Sequence, residues 1–239
     1  MAIYTIADLH LPGPYGEQKS MEVFEARWKD SKSKLEKNWR ALVGENDSVI
    51  IPGDISWAMK TGEVISDLEF IDSLPGTKYI GKGNHDFWWN TAKKLQKLFS
   101  EYSFDSLKIL YNNSYIIEDK AVIGARGWFP DPSNQKTQGD TDWDKISARE
   151  EIRLKLSLAS LPADLSPDVE KILFIHFPLV WRGFECRGLI DMIKAAGIKR
   201  VYYGHIHGVY SSEGDFEFEG IRFKMISADR LDFSPFPVL

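Results

Sequence analysis

Five short polar clusters in this chain combine the residue types and spacing that metal chemistry needs: Asp8-Leu9-His10, Gly53-Asp54, Gly83-Asn84-His85-Asp86, His176 and Gly204-His205-Ile206-His207. Imidazole nitrogen with carboxylate or amide oxygen is the donor set of a divalent first-row metal, and such ligands are gathered from separate elements. Taken singly the clusters mean little. A lone histidine on an apolar strand is more often a hydrogen-bonded core residue, and Gly-Asp after a strand is usually a turn. The joint pattern weighs more, because all five histidines of the chain fall in these clusters. None falls in a predicted helix or in the long polar loop from Pro130 to Asp142. The two-residue spacing of Asp8/His10 and His205/His207 predicts pairs that share one face of an extended segment and converge on one ion or one pair of ions.

The elements that must position these clusters are short apolar runs, each ending at one of them: Ile3 to Ala7, Ser48 to Ile51, Lys78 to Ile80, Lys171 to Ile175 and Arg200 to Tyr203. As strands they deliver polar residues at their C-terminal ends, where an open α/β sheet binds its ligands. Helical periodicity lies between them. Trp28, Leu35, Trp39 and Leu42 share one side of a helix predicted from Met21 to Val43. Thr61 to Leu74, Asn90 to Ser100 and Leu189 to Ala196 are shorter helices, and two apolar rows over Asp144 to Leu161 predict one well covered by a sheet. Ser114 to Ile117 and Ala121 to Gly124 flank the charged turn Glu118-Asp119-Lys120 as a hairpin, and Asp215 to Ala228 alternates in the same way. Strand-helix alternation followed by hairpins predicts an α/β fold with a mixed sheet system flanked by helices, read as one domain over residues 1–239.

The ordered series of clusters resembles the calcineurin-like metallophosphoesterase superfamily, whose motifs run D-x-H, G-D, G-N-H-D/E, H and G-H-x-H. The matching positions run from residue 8 to residue 207. The resemblance implies a four-layer α/β/β/α sandwich of two mixed sheets, with two divalent metal ions at the strand ends. It assigns one ion to Asp8, His10 and His207, the other to Asn84, His176 and His205, and a bridging place to Asp54. Two cations so held polarise a phosphoryl group and activate a bridging hydroxide for in-line attack on a phosphomonoester or phosphodiester. His85 matches the acid for the leaving group, with Asp86 orienting it. Manganese is favoured among Mn, Fe, Zn, Co and Ni, all of which suit a mixed N/O donor set. The chain departs from the protein serine/threonine phosphatases: Ile55-Ser56-Trp57 follows Asp54, and the Asp-Arg-Gly continuation and the Glu of G-N-H-E are absent. The long stretch between His10 and Asp54 leaves room for the Met21 to Val43 helix to act as a partial cap.

A rival motif, Gly76 to Lys82, fits the first positions of a nucleotide-binding P-loop. The position that needs a Ser or Thr hydroxyl is Gly83, and the run before it reads as a strand, so the motif is rejected. Among the 8 tryptophans, Trp57, Trp88, Trp89, Trp128 and Trp181 lie close in sequence to site residues or strand ends. Of these, Trp57 and Trp88 are candidates to stack on a substrate ring. Arg126, Arg182 and Arg187 are candidate phosphate contacts, the first two preferred, because guanidinium matches phosphate geometry.

With 43% hydrophobic and 27% charged residues the chain has an ordinary globular balance, and a net charge of -5 speaks against a nucleic-acid backbone as main partner. The expected substrate is a phosphorylated small molecule. One cysteine, Cys186, cannot form an intrachain disulfide, and no apolar run is long enough to span a bilayer. Asp8 and His10 would be lost with any cleaved leader, so the expected setting is cytoplasmic. The competing readings are a nuclease or cyclic-nucleotide phosphodiesterase of the same superfamily, and a non-catalytic metal-binding scaffold.

Overall fold

The runs Ser48–Ile51 and Arg200–Tyr203 are buried at every position. Each therefore needs apolar cover on both faces, the condition of a strand inside a parallel sheet. The computed structural model, which describes residues 1–15, 21–23, 25–128 and 143–238, provides that cover with two sheets packed face to face and helices outside both. The first sheet has the order β13-β1-β2-β3-β4, with β1 (Ile3–Thr5), β2 (Ser48–Ile51), β3 (Thr77–Ile80) and β4 (Leu107–Ile109) parallel and β13 (Phe236–Pro237) antiparallel at its edge. The second has the order β11-β12-β10-β7-β6-β5. Here β6 (Lys120–Ala125), β7 (Glu170–Ile175), β10 (Arg200–Tyr203) and β12 (Ile221–Met225) are parallel, and β5 (Asn113–Ile117) and β11 (Asp215–Phe218) are antiparallel edges. A small ribbon pairs β8 (Val180–Trp181) with β9 (Phe184–Glu185).

The period of two sorts the side chains into layers. Val49 and Ile51 of β2 join the core beneath α1 (Ser31–Leu42), α2 (Ile65–Asp72) and α3 (Ala92–Glu101), while Ile50 joins the core between the sheets. In β7, Leu173 and Ile175 pack toward α4 (Trp143–Ala159) and α5 (Arg187–Ala195), while Ile172 and Phe174 meet the first sheet. Three apolar layers thus separate four structural ones, and the expected α/β/β/α sandwich is the fold. The chain after β12 ties the sheets together: Ala7 N–H donates to Ile226 O at 2.8 Å and Ala228 N–H to Ala7 O at 2.9 Å.

Two expectations change. The stretch from Met21 to Val43 is not one helix. It comprises the 3-10 turns Met21–Val23 and Ala26–Trp28 and then α1, because Asp30 adopts a left-handed φ of 55° that no helix continues through. Trp28, Leu35 and Trp39 nonetheless share the same core. Helix α4 is covered on one row only: Leu154 is buried, whereas Ile152 is 57% and Leu156 54% exposed. The Pro130 to Asp142 loop lies outside the described residues.

The lysine of the rejected P-loop has a structural role. Lys78 is fully buried and donates through Nζ to the carbonyls of Asp72 at 3.1 Å, Gly76 at 2.8 Å and Leu74. It thereby satisfies carbonyls that the end of α2 leaves without partners. Replacing it with a hydrocarbon of similar length, Lys78→Met, should lower unfolding free energy by about 3 kcal/mol, measured by urea denaturation. Metal uptake should be unchanged, because Lys78 lies at the other end of β3 from the polar clusters.

Candidate metal centre

Where β1, β2, β3, β7 and β10 stop, the chain turns sharply rather than running on extended. Asp8, His10, Asp54 and His205 have φ of 59°, 44°, 51° and 72°, a left-handed conformation that costs a residue other than glycine on the order of 1–3 kcal/mol. This corrects the expected geometry of the D-x-H and H-x-H pairs, whose side chains converge through left-handed turns and not through strand alternation. The turns are held by cross-strand bonds: Asp8 N–H to Gly53 O at 3.1 Å, His10 N–H to Asp54 O at 3.0 Å and Leu11 N–H to Ile55 O at 2.9 Å. Two glycines allow backbone to lie against carboxylate. A Cβ on Gly83 would meet Asp54 Oδ1 at 2.0 Å, and one on Gly204 would meet Asp8 Oδ2 at 2.4 Å. Amides just beyond each glycine use that closeness, with His85 N–H donating to Asp54 Oδ1 at 2.8 Å and His205 N–H to Asp8 Oδ2 at 2.9 Å.

Asp86 has a different place from the one expected. Its carboxylate is fully buried and accepts from the amides of Gly83 and Asp54, both at 2.8 Å, from Ile55 at 2.9 Å, from Ser56 at 3.3 Å and from Trp88 Nε1 at 3.0 Å. It fastens the turn after β2 to the turn after β3, and its oxygens are occupied there instead of aligning His85.

The remaining side chains meet in one crevice. Single ligand atoms of Asp8, His10 and His207 lie within 4.8 Å of one another, as do those of Asp8, Asp54 and His176. His10 Nε2 is 3.1 Å from His207 Nε2, a separation expected of two nitrogens each about 2.1 Å from one ion. His176 Nε2 is 2.6 Å from Asn84 Oδ1 and 3.5 Å from Asp54 Oδ2, and its ring centroid is 5.2 Å from that of His205. Asp8 as well as Asp54 thus stands between the two groups.

Burial governs the charge. It is the largest influence on His10 and His176, holding both well below the ordinary imidazole range, and on His205, pushed down to about 3 with help from His207. Burial also lifts Asp8 to about 6 and raises Asp54 strongly, with Asp86 and Asp8 adding repulsion. Neutral imidazole is the form in which histidine binds a cation, whereas the crowded, lifted carboxylates would release protons as a cation takes their place. The Nδ1 atoms of His10 and His176 are buried without a hydrogen-bond partner. The donor set therefore fits divalent metal.

One member of the site had no signature among the sequence clusters. Asp229, fully buried, lies 3.0 Å from His207 Nδ1 and accepts from Gly208 N–H at 2.9 Å. A carboxylate there sets the proton on Nδ1 and leaves the Nε2 lone pair for a metal. Burial pulls His207 down, but Asp229 and Asp8 outweigh it and the imidazole is raised. The available signal was positional, since Asp229 follows β12 much as Asp8 follows β1.

The expected substrate contacts separate clearly. Trp57 stands at the crevice, stacked on His10 with ring centroids 5.0 Å apart and 4.4 Å from His85. Trp88 is 1% exposed and belongs to the core, its indole committed to Asp86. Trp89 packs on Trp88 and Tyr111, Trp128 on Phe177, and Trp181 in the core of the second sheet. Arg126 is paired with buried Glu150 at 3.2 Å. Arg182 is an exposed partner of Glu213 at 2.7 Å, and Arg187 an exposed partner of Glu219. Neither Arg182 nor Arg187 lines the crevice, because both belong to the β8–β9 ribbon and the start of α5. Buried Cys186 donates its thiol to Trp128 O, and burial lifts that thiol to about 12, in keeping with a packing role.

Comparison with known proteins agrees with this geometry. No curated protein matches the chain. Among solved structures, a protein of unknown function from Aquifex aeolicus aligns over 99% of this chain and 95% of its own, at 17% identity and a TM-score of 0.50. A Thermus thermophilus protein aligns over 97% and 91%, at 13% identity and a TM-score of 0.50. Identities this low speak for the fold alone. The family model for calcineurin-like phosphoesterases matches residues 1–209, a span that contains every strand-end cluster from Asp8 to His207, and the chain belongs to that family.

Proposed function

We propose that this protein hydrolyses a phosphoester of a small molecule at a centre of two divalent cations, manganese being the favoured metal. The observation that carries this reading is the convergence of Asp8, His10 and His207 with Asp54, His176 and Asn84 at one crevice. Asp8, His10 and His207 would hold one cation. Asn84, His176 and His205 would hold the other, with Asp54 and Asp8 shared. When bound, such a pair supplies positive charge to the phosphoryl oxygens and acidity to the attacking water.

The protein side chains do the rest. The buried donors hold their positions before substrate arrives, so little reorganisation accompanies reaction. His85 lies beside Trp57 with its ring centroid 5.5 Å from that of His10, placed to donate an N–H to the leaving oxygen. Burial, then His207, pushes His85 down to about 4 in the absence of substrate, so the free side chain is neutral at neutral pH and offers an N–H as a hydrogen-bond donor. A phosphate anion beside it opposes that shift and favours the imidazolium, the form that would pass its Nε2 or Nδ1 proton to the leaving oxygen and be left as neutral imidazole. Asp86 acts through the backbone by clamping the turns that carry Asp54 and His85. A cytoplasmic setting accords with the single buried thiol, and among the described residues no helix is long and apolar enough to cross a membrane.

Protein stripped of metal and resupplied with manganese should turn over a nitrophenyl monoester or a bis-nitrophenyl diester, and the preferred ester identifies the substrate type. No turnover of either with any candidate metal, despite bound ions, would count against the reading. His85→Asn should keep its metal content and lose about 10²- to 10⁴-fold in turnover; undiminished turnover removes His85 from the reaction. Asp229→Ala should weaken metal affinity by roughly 10- to 100-fold, measured by competition with a chromogenic chelator.

A further inference from the structure

Beside the metal ligands lies a cavity of about 420 Å³ lined by His10, Met21, Glu25, Trp28, Trp57, His85, His207 and Gly208. Three of these come from the turns Met21–Val23 and Ala26–Trp28 that precede α1 and from Glu25 between them. That segment is fastened to the site: Trp28 packs edge-on against His10 and His207 at 5.8 and 5.6 Å, and Glu25 accepts from Tyr210. Lys34 Nζ donates to Arg27 O at 2.9 Å and so anchors the segment to α1.

We propose that this segment builds the leaving-group side of the site and selects phosphoesters whose leaving group is a flat, uncharged ring. The proposal deepens the phosphoesterase reading and rests on it. Three observations point to the ring. First, apart from the histidines, Glu25 and Gly208, the lining consists of two indoles and a thioether, groups that bind aromatic faces well. Second, the volume is ample, since a cavity of about 150 Å³ already admits benzene. Third, among the described lining residues there is no lysine or arginine, and the one charged side chain outside the metal ligands is the acid Glu25. The metal centre meets the charge of one phosphate. Among the described lining residues a second anionic group would find no cation and would face Glu25, while the Arg27 guanidinium is held over the Tyr210 ring at 4.4 Å and beside Asp232 at 3.7 Å. Diphosphates, phosphopeptides with flanking acids and nucleic-acid strands are thereby disfavoured.

Val23, Met59, Phe87 and Tyr210 are exposed, and each stands two positions from a lining residue. Of these, Phe87 packs edge-on against His85 at 6.3 Å, and Tyr210 donates to Glu25 and carries the Arg27 guanidinium on its ring.

The test is equilibrium binding of non-cleavable probes to the manganese-loaded protein by calorimetry. Phenylphosphonate should bind about tenfold tighter than methylphosphonate, and Trp57→Ala should bring that ratio close to one. A meta-carboxylate on the phenyl ring should weaken binding, and Glu25→Gln should recover most of the loss. Glu25 is half-buried on the segment and is no metal ligand, so this second variant keeps the test open if Trp57→Ala fails to fold. Equal affinity for the two simple probes, or ratios unmoved in both variants, would overturn ring selection while leaving the phosphoesterase reading intact. Binding of neither probe would contradict that reading itself, and ring selection with it.

Discussion

Asp8, Asp54 and Asp86 are carboxylates buried within one crevice, and burial is the largest influence raising each of them. Most of the structure around the site answers that cost. Asp86 is answered within the protein, by four backbone amides and an indole N–H. Asp8 receives the amide of His205 and Asp54 those of His85 and Asn84, and both otherwise face imidazoles that burial keeps neutral. Among the described residues the ion-pair partners of Asp8 and Asp54 are histidines, with no lysine or arginine, and the ligand atoms are spaced to receive divalent cations. Binding free energy of such ions then adds to folding free energy, because the unfolded chain has no such site.

The fold supplies this concentration of charge by a simple means. Parallel strands in two stacked sheets bring their C-terminal ends to one edge of the sandwich, so clusters far apart in sequence become neighbours. The cost is backbone strain at Asp8, His10, Asp54 and His205. Cross-strand amide bonds and the close approach of Gly83 and Gly204 to carboxylate oxygens hold those turns. A side chain on either glycine would collide with the acid it supports, so ligand and glycine form one unit. The segment from Met21 to Trp28 then adds a wall to a site whose other ligands the sandwich already positions.

Legibility in the sequence followed the physics of each part. Strands β2 and β10 match their expected limits because they are unbroken apolar runs ending at Pro-Gly or Gly, and that pattern survives without tertiary context. The ligand clusters were legible for the same reason, since each directly follows such a run. Helix α1 was overextended because Trp28 buries in phase with Leu35 and Trp39 although the backbone breaks at Asp30. Burial phase outlasted helical structure. Trp57 and Trp88 carry equivalent local signals, and only the turn after β3, which drives Trp88 inward onto Asp86, distinguishes wall from core. Strands β8, β9 and β13 have two residues each, too few to show a period, so Arg182 could not be assigned to an outer ribbon. Asp229 escaped notice because the residues beside it are Ser227, Ala228 and Arg230, with no histidine or glycine to mark a site.

The account stands on a shared pair of carboxylates holding two ions, and electron paramagnetic resonance of the manganese-loaded protein reads that directly. With Asp8 and Asp54 between the two ligand groups, two manganese ions should bind per chain and give an exchange-coupled spectrum at full occupancy. A single ion per chain, or two ions that keep the six-line signal of isolated manganese, would contradict it.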